Sequence, residues 1–183
     1  MQYPGWPGGM VAVLLHRPSN NYTRCPDFGN RIDMPRLAHF NIAKPRYPSG
    51  DSRMDGFTQN IARMNHLAEK SPGFIWRLTD PSADTCGQDW FNDPSLIVTL
   101  SVWQDVASLR HFVYQSQHGE FVNKRQDWFE RYPLSAPGPS YVLWWIDDEV
   151  LPIPRQARDR LYLLGDQGDS DLAFSFKRPF PMP

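Results

Sequence analysis

The chain has 183 residues and 40% hydrophobic residues, enough for one domain with a sizeable core that needs no disulfide or metal staple. With 19 basic against 20 acidic residues the net charge is −1, so there is no basic excess for a nucleic-acid backbone, and 14% aromatic residues exclude a disordered chain. No apolar run reaches the roughly 20 residues of a membrane-crossing helix, and Cys25 and Cys86 stand apart with no CxxC or disulfide framework, as for free thiols in the cytoplasm.

Residues 1–35 read as an extended N-terminal arm. They hold Tyr3-Pro4-Gly5-Trp6-Pro7-Gly8-Gly9, one candidate strand at Val11–Leu15 and polar loop chemistry, with no sustained period. The regular pattern occupies 36–183 and predicts a single α+β domain. Leu37–Ala43 alternates as a strand, with Ala38, Phe40 and Ile42 on one face and Leu37, His39 and Asn41 on the other. Pro45 and Pro48-Ser49-Gly50 break it. Met54, Phe57, Ile61, Met64 and Ala68 then recur at spacings of three and four, which predicts a helix over Arg53–Lys70. Ser71-Pro72-Gly73 stops it before a short strand at Phe74–Leu78, and a polar loop runs through 79–94.

Leu96–Trp103 is the clearest strand, with Thr99, Ser101 and Trp103 on the face opposite Val98, Leu100 and Val102. Asp105 predicts an N-cap. The helix after it carries Val106, Leu109, Phe112 and Val113, and continues past a break near Gly119 to Trp128-Phe129. Tyr141–Ile146 is a strand with adjacent Trp144 and Trp145, which must face opposite ways. Pro154 suits the first position of a last helix over Arg155–Leu164, ended by Gly165 and Gly168, and an extended Pro-rich tail follows. The order β-α-β, β-α-β predicts a ferredoxin-like split βαβ fold with a four-stranded antiparallel sheet. Its helices cover one face, so the other is expected to close by homodimerisation around a small cavity, unless the arm covers it.

Several segments together resemble one family: Leu37-Ala38-His39-Phe40-Asn41-Ile42-Ala43, Ser71-Pro72-Gly73-Phe74-Ile75-Trp76-Arg77-Leu78, Ser101-Val102-Trp103, His111-Phe112-Val113-Tyr114 with His118, Arg125-Gln126-Asp127-Trp128-Phe129, Leu143-Trp144-Trp145, and Ala173-Phe174-Ser175-Phe176-Lys177-Arg178-Pro179-Phe180. They are similar to the DUF3291 family, within the dimeric α/β-barrel group of antibiotic-biosynthesis monooxygenase-like proteins. The resemblance spans roughly 36–180 and implies a ferredoxin-like fold and a dimer. It brings no established activity.

The chemistry has to be read from residues. GxGxxG, a phosphate loop, GxSxG, HExxH and a Cys/His cluster are all missing, so nucleotide, serine-hydrolase and metal readings lose support; no organic cofactor or metal is expected. His39 and Asn41 point away from Ala38, Phe40 and Ile42. With those three under the helices, the pair faces the cavity, His39 to move a proton and Asn41 to hold an oxyanion. Arg77 joins them to bind an anion if Ile75 and Arg77 share the lumen side; in the opposite register Trp76 lines the pocket instead. Thr99, Ser101, Trp103 and one of Trp144 and Trp145 complete the wall, and His118, near the helix break, either caps a helix or swings over the cavity. His66 and Arg63 are solvated. The expectation is a cofactor-independent enzyme isomerising or cyclising a phenolic, polyketide-like or terpenoid metabolite. The alternatives are a cofactor-free monooxygenase and a non-catalytic ligand-binding dimer.

Overall fold

β1 (Arg36–Pro45) is the central strand, and its sequence shows why. Leu37 and Ala38 point to opposite faces and both are fully buried, so each face of the strand carries a layer. The computed structural model describes residues 34–79, 91, 93, 95–130, 138–148 and 150–183. The arm up to residue 33, its candidate strand and most of the 79–94 loop lie outside the described residues. Within them, no helix is long and apolar enough to cross a membrane.

β1 pairs antiparallel with β3 (Ile97–Trp103) on one side and with β5 (Tyr141–Ile146) on the other. β2 (Phe74–Arg77) adds to the outer edge of β3, and the two-residue β4 (Phe129–Glu130) meets Lys44 and Pro45 beyond the reach of β5. The four principal strands therefore lie in the order β5-β1-β3-β2, the ferredoxin-like arrangement. Before β2, Gly73 has φ +80° and an added Cβ would collide with the Ser108 hydroxyl, so only glycine fits this turn.

The helices are more broken than their periodicity predicts. Arg53–Lys70 is a 3₁₀ turn at Ser52–Met54, then α1 (Asp55–Thr58), then α2 (Ile61–Glu69). Asn60 Nδ2 donates to the Gly56 carbonyl and Thr58 Oγ1 to that of Met54, at 3.0 and 3.3 Å; such side chains compete with the helix for backbone partners. The second helix divides into α3 (Val106–Gln115), capped by Asp105 as expected, and α4 (His118–Trp128). Ser116 causes the break. It is extended, its hydroxyl donates to the Phe112 carbonyl at 2.6 Å, and the same oxygen accepts the His118 N–H at 3.1 Å. α5 (Pro154–Gln167) starts on its proline and runs through Gly165 to Gly168, whose φ is +76°.

Two expectations are corrected here. Ala38, Phe40 and Ile42 do not pack under the βαβ helices; with Val98, Leu100, Val142 and Trp144 they pack against Ala157, Leu161 and Leu164 of α5. Nor is that face left open for a second subunit, because α5 presents these residues at spacings of four and three and leaves no member of the set more than 7% exposed. The opposite face, with Leu37, Trp103 and Leu143, packs against Ala68 of α2, Leu109 and Phe112 of α3, and Phe174 of the tail. The tail is anchored as well as extended: Phe174 and Leu143 exchange two backbone hydrogen bonds of 2.8 Å, which covers part of the β5 edge.

Leu161, 3% exposed, reports on the seal. Leu161→Ala is expected to lower unfolding stability by about 2–5 kcal/mol, the usual range for an unfilled core site. Tyr162→Ala, at a residue 52% exposed, should change it by no more than about 0.5 kcal/mol. Urea denaturation of the two variants checks this.

Candidate active site

His39 lies at the middle of β1, in register with Ser101 of β3 and Leu143 of β5. Directly paired residues share a face, so Leu37, His39 and Asn41 lie with Thr99, Ser101 and Trp103, with Phe74 and Arg77 across a bulge in β2, and with Tyr141, Leu143 and Trp145. This face lies under α2 and α3. His39 thus does project from the sheet into the side opposite Ala38, Phe40 and Ile42, but the helices cover that side. The candidate site sits between sheet and helices and not at a sheet-to-sheet cavity.

Three groups link in sequence around His39. The Trp103 indole N–H donates to Ser101 Oγ at 3.0 Å, and that oxygen lies 3.4 Å from His39 Nδ1. Trp103 also stacks on Phe112 of α3, with centroids 5.1 Å apart at 26°, and Phe112 in turn meets His118 at 4.5 Å. His118 is the first residue of α4, placed there by the Ser116 break, and its Nδ1 lies 3.4 Å from the Val113 carbonyl. A carbonyl only accepts, so this nitrogen carries the proton and Nε2 is left as an acceptor.

Both histidines are pushed toward the neutral form. Burial first, and like-charge repulsion from the nearby His118 second, lower the His39 pKa to about 4. Burial also lowers that of His118, against the opposing effect of the Val113 carbonyl. Among the described residues no group of three or more His, Cys, Asp or Glu could hold a metal ion.

The other predicted residues divide cleanly. Asn41 shares the His39 face and is partly buried, whereas Thr99 beside it is exposed, so solvent reaches the sheet at that end of the face. Arg77 is on this face, but its Nε binds Glu69 of α2 at 2.8 Å. Trp145 faces the site side and donates its indole N–H to the Phe180 carbonyl at 3.1 Å. Trp76 and Trp144 belong to the α5 side and are removed from the candidate wall. His66 and Arg63 are exposed as expected.

Tyr141 was not singled out by the sequence. Its ring lies 6.3 Å from that of His39, and its hydroxyl accepts the Phe176 N–H at 3.1 Å. Burial raises its pKa. The period-2 pattern of β5, which sets Tyr141 beside Leu143 and Trp145, was the available signal. Phe112 appeared only as a helix-stripe residue, and its place between Trp103 and His118 depends on how α3 lies across the sheet.

The lowered His39 pKa has a consequence for stability. An unfolded chain protonates this imidazole near pH 6.5 and the folded chain only near 4, so stability is full above pH 6.5 and is lost as pH falls toward 4. The shift corresponds to about 3 kcal/mol. Asp51, held to about 2 by its bond to Arg53, and Asp93, held to about 2 by Lys44 and Ser95, titrate below this window. Urea midpoints taken between pH 7 and 4 should fall in the wild type. In His39→Gln they should fall less, the remaining loss coming in part from His118, whose pKa burial also lowers.

A family model described as "Domain of unknown function (DUF3291)" matches residues 36–183. Among solved structures, the chain is similar to NE2512, a protein of unknown function from Nitrosomonas europaea, at 13% identity and TM-score 0.39, covering 67% of this chain and 97% of the other. It is also similar to PA3566 from Pseudomonas aeruginosa, at 10% identity and TM-score 0.40, covering 67% of this chain and all of the other. No curated protein matches significantly. With the family model spanning the whole sheet, every described helix and the tail, the chain belongs to the DUF3291 family.

Proposed function

We propose that the protein is a small-molecule enzyme that needs no organic cofactor and moves a proton on a phenolic, polyketide-like or terpenoid substrate, isomerising or cyclising it. The observation that carries this reading is His39, an imidazole uncharged at neutral pH and tied through Nδ1 to a hydroxyl that already accepts an indole N–H. Ser101 Oγ has two lone pairs. When it accepts from both Trp103 Nε1–H and His39 Nδ1–H, the His39 Nε2 keeps its lone pair and acts as the base. The aromatic surroundings disfavour an imidazolium in the empty site. A substrate anion formed beside it reverses that preference, since an adjacent opposite charge favours the charged form.

The remaining residues take complementary roles. His118 Nε2 accepts a substrate hydroxyl. Asn41, partly buried beside the exposed Thr99, donates its amide to a developing oxyanion; this role falls to Asn41 because Glu69 engages Arg77. Trp103, Phe112 and Tyr141 contribute flat apolar wall. Membership of the antibiotic-biosynthesis monooxygenase-like superfamily is part of the same proposal. There the substrate anion would react with molecular oxygen at carbon, a CH2 becoming C=O while the second oxygen atom leaves as water, so that the substrate itself supplies all the electrons.

The test is hydrogen–deuterium exchange. Phenolic and 1,3-dicarbonyl ligands are incubated with the protein in D₂O, and loss of carbon-bound protons is followed by NMR. The protein should accelerate exchange of at least one ligand that it binds, and His39→Gln should reduce the acceleration about 10²–10⁴-fold, the usual weight of general acid–base catalysis. Ligands that bind without accelerated exchange would sink the proton-transfer reading in favour of a ligand-binding module. Product formed only in air would select the monooxygenase branch.

A further inference from the structure

On the other side of β5, away from His39, an open cleft of 180 Å³ runs between the end of the strand and α5. Trp144, Trp145, Ile146, Asp147, Val150, Gln156 and Arg160 line it. Two of these residues have hydrogen-bonding capacity that the fold does not use. Trp144 is 1% exposed, and its indole N–H is buried with no acceptor among the described residues. A buried donor left in this state is a cost that native cores avoid. Arg160 is partly buried and spends one N–H on the Leu172 carbonyl at 2.6 Å. No carboxylate among the described residues pairs with it.

We propose that this cleft is a second binding site, for a small carboxylic acid with an apolar body. Arg160 offers the planar fork that matches a carboxylate. The Trp144 N–H supplies a further donor, and the Gln156 amide can add another. Ile146 and Val150 give the apolar wall for the rest of the molecule. Asp147 is exposed, so water and salt screen its repulsion of an anion. A neutral alcohol of the same shape would leave the guanidinium without its ionic partner, which makes the charge the selective feature. The site is independent of the His39 proposal, since Trp144 and His39 project from opposite faces of the sheet.

The test uses the full chain and benzoate as probe. The indole N–H resonance of Trp144, assigned by its loss in Trp144→Phe, is followed by NMR as benzoate is added. A saturable downfield shift is expected, and benzyl alcohol should not produce it. Arg160→Met, which keeps the aliphatic bulk, should weaken benzoate binding about 10- to 100-fold, the range for a lost charge-assisted hydrogen bond. Arg160→Lys serves in its place if the methionine variant does not fold, and should weaken binding by a smaller factor. The proposal is overturned if the Trp144 resonance does not move with benzoate, if benzyl alcohol moves it equally, or if neither Arg160 variant changes the benzoate affinity.

Discussion

The structure depends on one constraint: β1 has to be covered on both faces. A strand with fully buried side chains at consecutive positions, Leu37 and Ala38, cannot lie at a solvent-facing sheet surface, because alternate residues point to opposite sides. The two βαβ helices cover one side only. The other layer comes from α5, and the tail closes the remaining gap at β5 through Phe174. The chain itself thereby supplies the second cover that a one-sided sheet would otherwise have to obtain from another chain.

That double covering gives the candidate site its chemistry. His39 lies between a sheet and its helices, next to an aromatic stack that runs from Trp103 through Phe112 to His118. The stack carries the position of the α3–α4 break down to the sheet, so a serine that interrupts a helix also decides where the second imidazole stands. Desolvation then holds both rings neutral. Nothing here needs a strained backbone; burial and a short hydrogen-bond chain are sufficient.

Much of this was legible in the sequence. Period-2 alternation finds every principal strand, the N-cap at Asp105 and the proline at the start of α5 are readable, and His39, Ser101, Trp103 and His118 stand out by residue type and position. What could not be read was which face was which. In β1 alternation separates Ala38, Phe40 and Ile42 from Leu37, His39 and Asn41 but does not say which set the βαβ helices cover. The clue lay in α5, whose Ala157, Leu161 and Leu164 form a stripe that needs a partner; without an assigned partner for it, the wrong face was left bare. The open choices turned on the same question: Trp145 and Arg77 face the site, Trp144 and Trp76 the α5 layer. The break in the first helix is invisible for a different reason, and the second, expected near Gly119, falls at Ser116: Asn60, Thr58 and Ser116 act through local side-chain bonds that hydrophobic periodicity does not register.

The chain order of these layers bears on how the protein is made. Phe40 of β1 pairs with Val142 of β5 across a long stretch of sequence, and contacts of such separation form slowly. α5 and Phe174 are translated later still. A nascent chain that has already exposed Phe40, Leu100 and Trp144 therefore has no cover for that sheet face until α5 leaves the ribosome. During this interval it presents an apolar surface to chaperones and to other nascent chains. Completion of the α5 layer is therefore the step that removes this surface from solvent.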